Sequence, residues 1–206
     1  VAFSTGANNL IPGEVHNFNI VVKDLVTGVI QQVVVASDGS EGNGWSGKPS
    51  ISADGSMIAF ESLANNLVPG DNNNDHDVFV RNTKTSETIR ISINSFGEEG
   101  NDYSGEPSIS SDGRYVAFSS RADNLADLDS NDQQDIFIHD ILTGGTSRVS
   151  IASDGAQANG FSVWPSISAD GQVVAFESMA TNLLFCQENK QPNDRSDIYL
   201  HDRSVA

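Results

Sequence analysis

An internal repeat constrains this chain more than any other feature. PSISADGSMIAFES begins at Pro49, PSISSDGRYVAFSS at Pro107 and PSISADGQVVAFES at Pro165, a spacing of 58 residues both times (49 to 107, 107 to 165). A fourth copy opens the chain part-way through the motif, since VAFSTGANNLIPG from Val1 aligns with IAFESLANNLVPG from Ile58. Periods of this length belong to units that cannot bury their apolar faces alone and must stack on their neighbours.

Each unit holds four short strand-like runs divided by turn residues, the organisation of a propeller blade. Strand a is PSIS, and the Asp-Gly after it makes the tight turn into strand b, for example YVAFSS, because glycine accepts the positive φ a hairpin needs. Strand c is DVFV, DIFI or DIYL. Its apolar residues do not alternate with polar ones, so both of its faces are expected to be buried between adjacent blades. Strand d is TIRISI or SRVSI. No stretch keeps a 3.6-residue apolar period, and an all-β chain with essentially no helix is expected.

The pattern PSIS-x-DG-xx-VAF-x-S, followed by D-[IV]-[FY]-[IVL]-x-[DN], resembles the TolB-like β-propeller repeat, related in architecture to the WD-repeat propellers. The resemblance runs through the whole chain and implies a single β-propeller domain over 1–206, with repeats at 1–48, 49–106, 107–164 and 165–206. It implies little about activity, since such propellers include binding modules, scaffolds and enzymes. The first copy supplies strands b, c and d and the last supplies a, b and c, so the two duplicate b and c instead of completing one blade. The expectation is a segment of a longer propeller, with four closed blades or association of two chains through edge strands as the alternatives.

Blade order places the b–c and d–a loops on one face, where the long and unusual loops lie and where function is expected. Asp71, Asn73, Asp75 and Asp77 alternate through one b–c loop, and Asp129, Asn131 and Asp135 recur in the next, with Gln133 in place of Asp75. A hard cation such as Ca²⁺ takes six to eight oxygen ligands, which Asp, Asn and backbone carbonyls of a loop supply. Clustered carboxylates also repel one another without a counter-ion, so these seven residues are the expected metal ligands and Ca²⁺ the expected cofactor. The loop is not an EF-hand, because His76 stands where that loop needs Gly and Asn82 where it needs Glu. The terminal copies depart from the pattern: Glu14, Asn17 and Asn19 in the first, Gln187, Asn189 and Asp197 in the last. The competing account is that Asp and Asn simply make side-chain-to-backbone turns.

The d–a loops repeat an amide and an aromatic, Asn43 with Trp45, Asn101 with Tyr103 and Asn159 with Phe161. Such a pair suits stacking on, and hydrogen bonding to, a protein or carbohydrate ligand. A repeated aromatic is also the plug expected between adjacent blades. Lys23, Arg81, His139 and His201 share one repeat position, an expected ion-pair or turn partner. Glu61 and Glu177 are equivalent and invite comparison with glycosidase carboxylates, but no nucleophile, base and oxyanion donor are arranged around them. No G-x-S-x-G elbow and no His or Cys pair at zinc spacing occurs. Cys186 carries no expected mechanism.

Eleven Lys and Arg against 28 Asp and Glu give a net charge of −17, which opposes binding to nucleic acid or an anionic membrane. No apolar run approaches the roughly 18 residues of a spanning helix. One cysteine allows no disulfide within the chain. The sum is a non-catalytic, calcium-stabilised binding or scaffolding propeller acting at the cell surface, in the periplasm or outside the cell. A propeller enzyme acting on glycans or lactones, and a structural subunit of a larger assembly, are the alternatives.

Overall fold

Four antiparallel sheets, one per repeat, account for all the strands among the described residues. The computed structural model describes residues 1–7, 9–11, 19–127, 129–184 and 195–204, and no helix occurs among them. The first sheet is β1 (Ala2–Thr5), β2 (Asn19–Lys23) and β3 (Ile30–Gln32); the second is β4 (Ser46–Ile51), β5 (Met57–Ser62), β6 (Asp77–Asn82) and β7 (Glu87–Arg90). The third is β8 (Ser104–Ile109), β9 (Tyr115–Ser120), β10 (Asp135–Asp140) and β11 (Gly145–Arg148), and the fourth β12 (Ser162–Ile167), β13 (Val173–Ser178) and β14 (Asp197–Asp202). Each is a meander in which neighbours in sequence pair in space. The first blade thus holds strands b to d and the last a to c, as the repeat register requires.

Strand a is longer than the sequence pattern implies. It begins at Ser46, Ser104 and Ser162 rather than at the prolines, and a bulge interrupts its pairing with strand b between Gly47 and Ser50, Gly105 and Ser108, and Val163 and Ser166. The bulged residues Lys48, Glu106 and Trp164 have φ of 52°, 55° and 53°. None is glycine and each precedes proline, so the bend is a backbone cost of about 1–3 kcal/mol per blade that the surroundings must offset. The top of the hairpin is fastened by paired hydroxyls: Ser46 with Ser62 at 2.7 Å, Ser104 with Ser120 at 2.9 Å and Ser162 with Ser178 at 3.0 Å. At its other end Asp54, Asp112 and Asp170 accept from the Ser that closes strand a and from the backbone two residues on, while Gly55, Gly113 and Gly171 take φ near 74°.

Strand c of the inner blades is buried on both faces: Val78, Phe79 and Val80, and Ile136, Phe137 and Ile138, are all at most 2 % exposed. Phe60 stacks on Phe79 and Phe118 on Phe137 across the b–c pair, with ring centroids 5.8 and 5.9 Å apart. Three apolar clusters fill the three blade boundaries; the middle one joins Ala59, Val78, Val80 and Ile91 of the second blade to Ile109, Phe118 and Phe137 of the third. Burying each phenylalanine supplies about 2–3 kcal/mol of hydrophobic stabilisation. Strand c of the last blade is half-buried on one face and open on the other, where Ile198 and Leu200 are 71 % and 73 % exposed.

Candidate functional site: the acidic loops

Arginine is at the centre of each acidic loop. In the second blade, Asp77 opens β6 with no exposed surface, Asp71 comes from the b–c loop, Glu99 from the d–a loop and Arg90 from the end of β7. The carboxylate oxygens of Asp71, Asp77 and Glu99 lie within 4.8 Å of one another. Arg90 Nη1 is 3.3 Å from Asp77 Oδ2 and 3.8 Å from Asp71 Oδ2, and it pairs closely with Glu99 Oε1. Its Nη2 donates to Gly70 O at 3.0 Å, and Ser92 Oγ donates to Asp77 Oδ1 at 2.5 Å. Three acids surround one guanidinium.

The third blade repeats the plan with less charge. Arg148 Nη2 lies 3.2 Å from Asp129 Oδ2, without hydrogen-bonding direction, and Nε lies 3.8 Å from Asp135 Oδ2. Gln157 replaces the glutamate and donates from Nε2 to Asp129 at 2.6 Å and Asp135 at 3.1 Å. Ser150 serves Asp135 as Ser92 serves Asp77. Burial pushes the Asp77 carboxyl up to about 6, against the lowering effects of the Ser92 bond and the Arg90 charge. Burial likewise raises Asp71 and Asp129, with the facing arginine as the opposing influence.

Asn73 and Asn131 sit in these clusters with their amide nitrogens inward. Asn73 Nδ2 donates to Gly100 O at 2.9 Å and faces Asp77 Oδ2 at 3.4 Å, while its Oδ1 accepts the Asp75 N–H at 2.8 Å. Asn131 does the same with Ala158 O, Asp135 Oδ2 and the Gln133 N–H. Asp75 lies in the turn, its Oδ1 accepting the His76 N–H at 2.8 Å. The structure therefore gathers Asp71 and Asp77 of the first expected set and adds Glu99, and in the second it gathers Asp129 and Asp135. The asparagines offer donors where a cation needs oxygen, because their oxygens close the turn. The signal that sequence reasoning passed over was in strand d and the d–a loop: Arg90 and Arg148, and Glu99 and Gln157, keep the 58-residue register (90 to 148, 99 to 157). Of the terminal copies, Glu14, Asn17, Gln187 and Asn189, together with Cys186, lie outside the described residues.

The d–a amides fasten the same face. Asn43 Nδ2 donates to Asn65 Oδ1 at 2.7 Å and its Oδ1 accepts the Asn65 N–H at 3.0 Å; Asn101 pairs with Asp123 and Asn159 with Thr181 in the same way. Trp45 and Tyr103 flank His76, with ring centroids 5.4 and 5.5 Å away. A Cβ added at Gly47 would strike the Trp45 ring and one at Gly105 the Tyr103 hydroxyl, so those glycines make room for the aromatics. In the fourth blade Val163 replaces that glycine, and Phe161 is 37 % exposed. Glu61 is buried, and its Oε2 accepts the backbone N–H of Glu106 at 2.9 Å, with the Tyr103 hydroxyl at 3.5 Å. Burial, then the charges of Glu61 and Glu106, push the Tyr103 hydroxyl above its ordinary range. The shared basic position makes hydrogen bonds rather than ion pairs in the inner blades: Arg81 reaches Ser86 O and Thr88 Oγ1, and His139 Nδ1 lies 2.8 Å from Thr146 Oγ1.

No protein-family model and no curated protein matches the chain. Among solved structures it is similar to a TolB-type structure from Agrobacterium tumefaciens, at 15 % identity and a TM-score of 0.57 over 98 % of this chain and 56 % of that one. A prolyl endopeptidase structure aligns with a TM-score of 0.53 and 14 % identity over 90 % of this chain and 24 % of its own. The tricorn protease aligns with a TM-score of 0.50 and 13 % identity over 79 % and 13 %. The chain thus spans about half the length of the TolB structures it matches. The likeness is one of fold, a TolB-like β-propeller. No helix among the described residues is long and apolar enough to cross a membrane.

Proposed function

We propose that this chain, four repeats of a TolB-like propeller fold, is a non-catalytic binding or scaffolding module that works outside the cytoplasm. The observation that carries the reading is the Arg-centred acid cluster repeated in adjacent blades, which ties the b–c loop, strand d and the d–a loop into one unit. A face whose loops are held by backbone and side-chain bonds loses little entropy when it binds. Buried Glu61 is engaged as an acceptor for the backbone of a neighbouring blade, which supports a structural rather than a catalytic role for this carboxylate.

Calcium belongs to this reading at one place, the Asp71, Asp77 and Glu99 cluster, where three carboxylates exceed the one guanidinium. The residues fit a hard cation in part: the carboxylates do, while Arg90 shares their space and Asn73 turns nitrogen inward. A bound ion would supply the remaining positive charge and stiffen the loop. The occupant of the face is a protein or carbohydrate ligand, met by the Asn43, Asn101 and Asn159 loops with Trp45, Tyr103 and Phe161. Melting in calcium against chelator is the test for the wild type and Glu99→Gln. Calcium is expected to raise the wild-type melting temperature and to lose that effect in the variant; coincident wild-type curves would remove the metal from the proposal.

A further inference from the structure

The boundary between the second and third blades and that between the third and fourth are built to one register. Ser50 Oγ accepts the Ile109 N–H at the first and Ser108 Oγ the Ile167 N–H at the second, both at 3.1 Å. The Ala53 N–H donates to Ser111 O and the Ser111 N–H to Ala169 O, both at 3.0 Å. Gly113 packs against Met57, and Gly171 against Tyr115. With the backbones matched in this way, side chains at equivalent positions can be compared directly. In the third blade three of them close on one another: Gln134 Nε2 donates to Ser119 Oγ at 2.9 Å, and Ser119 Oγ donates to Glu106 Oε2 at 3.1 Å. Their equivalents in the second blade, 58 positions earlier, are His76, Glu61 and Lys48.

Those three do not bond to one another. His76 Nδ1 is buried without a hydrogen-bond partner, its ring held between Trp45 and Tyr103. Glu61 is 4 % exposed and pairs with no cation among the described residues; only its Oε2 is engaged, by the Glu106 N–H and the Tyr103 hydroxyl. Glu106 also accepts through Oε2 alone, from Ser119 and the Trp164 N–H, and Lys48 is exposed and joined to neither carboxylate. A carboxylate as deeply buried as Glu61 is ordinarily paired. Here it meets a second around one backbone N–H, and the two charges act together on the Tyr103 hydroxyl. The oxygens left over accept only, and the neighbouring rings are aromatic. An ammonium or guanidinium group answers both, donating to the free oxygens and drawn to the ring faces. We propose that Glu61, Glu106, Tyr103, His76 and Trp45 form a subsite for a lysine or arginine side chain presented by a protein partner. This rests on the reading of the face as a binding surface and gives its occupant a charge, one that a chain of net charge −17 attracts.

The test is an NMR titration of the whole chain with acetyl-Gly-Lys-Gly-amide, its arginine and norleucine counterparts, butylammonium and methyl glucoside. Saturable shifts are expected at the Gly105 and Glu106 amides and the His76 and Tyr103 rings with the lysine or arginine peptide, and at least about tenfold weaker binding of the norleucine peptide. Glu61→Gln and Glu106→Gln keep an acceptor oxygen and lose the charge, so each should weaken the basic peptide at least about fivefold. Asp154→Asn, which removes an equal charge from an exposed turn, should leave the affinity unchanged. Lys48→Gln should not weaken it. Equal affinity for norleucine, shifts confined to other loops, or an equal loss with Asp154→Asn would overturn the subsite, and butylammonium binding as tightly as the peptides would overturn a protein as its source. Methyl glucoside or norleucine peptide bound at these loops without the basic peptides would overturn the cation and leave the face a binding surface. Silence toward every probe at tens of millimolar would overturn both.

Discussion

Glu61 Oε2 accepts the backbone N–H of Glu106 across the boundary between the second and third blades, at 2.9 Å, and Glu106 Oε2 accepts that of Trp164 across the next, at 3.0 Å. The donors are the bulged, positive-φ residues of strand a. The acceptors come from different positions, strand b in one case and the preceding bulge in the other. Where strand b carries Ser119 instead of glutamate, Glu106 takes over and also receives the Ser119 hydroxyl at 3.1 Å. The costly backbone bend is thus held by a carboxylate of the blade before it.

Glu61→Ala leaves a part-buried N–H without its acceptor and is expected to destabilise the fold by about 1–3 kcal/mol. Glu61→Gln keeps an acceptor oxygen and should recover most of the loss. Chemical denaturation of the two variants reads the difference; equal stability of both with wild type would show the bond to be unimportant.

Arg90→Ala strands three partly or fully buried carboxylates, a loss of about 3–5 kcal/mol by analogy with broken buried pairs. Arg148→Ala should cost less, because Asp129 and Asp135 still receive the Gln157 amide. If the first cluster takes calcium, the ion should stabilise Arg90→Ala more than wild type, since it then meets the carboxylates without a competitor. Melting curves with and without the ion decide this.

Burial holds His139 below its ordinary range, so in acid the unfolded chain takes up the proton first. Stability then rises with pH through the window that ends near about 6.5 and falls as the solution is acidified below it. His139→Gln is expected to lose less melting temperature than wild type between pH 7.5 and 5. Buried Asp77, raised to about 6, works in the opposite sense, favouring the fold as pH falls through that value towards the ordinary carboxylate range. The difference between the two proteins isolates the histidine, and parallel profiles would refute its role.

Phe118→Ala empties the middle blade boundary and should cost about 3–5 kcal/mol. Leu200→Ala, on the open face of β14, should change stability by no more than about 0.5 kcal/mol. Urea melts of the pair measure how much of the stability lies between blades.

The repeat made the fold legible, because turn chemistry and strand length recur in phase and each apolar strand c requires a neighbour on both faces. The hydroxyl pairs were hidden, since nothing local distinguishes Ser62 from any other serine until strand a is seen to reach back to Ser46. In the acidic loops the clustering of Asp71 with Asp77 and of Asp129 with Asp135 followed from spacing. Their counter-charge did not, because Arg90 and Arg148 arrive from another strand, and arginine at a strand end reads as a solvated residue. The orientation of the asparagines was hidden for a local reason: an Asn beside Asp can offer oxygen or nitrogen, and only the turn made by its own backbone decides which.

At the two inner blade boundaries the serine-to-amide links of strand a and the contacts of the tight-turn glycines join residues a fixed register apart. A unit copied or removed whole at a d–a loop leaves all of these in phase, whereas a change of a single residue in length breaks several at once. Blade number is therefore a property that gene duplication can alter without editing a side chain, and stability follows as a sum over neighbours.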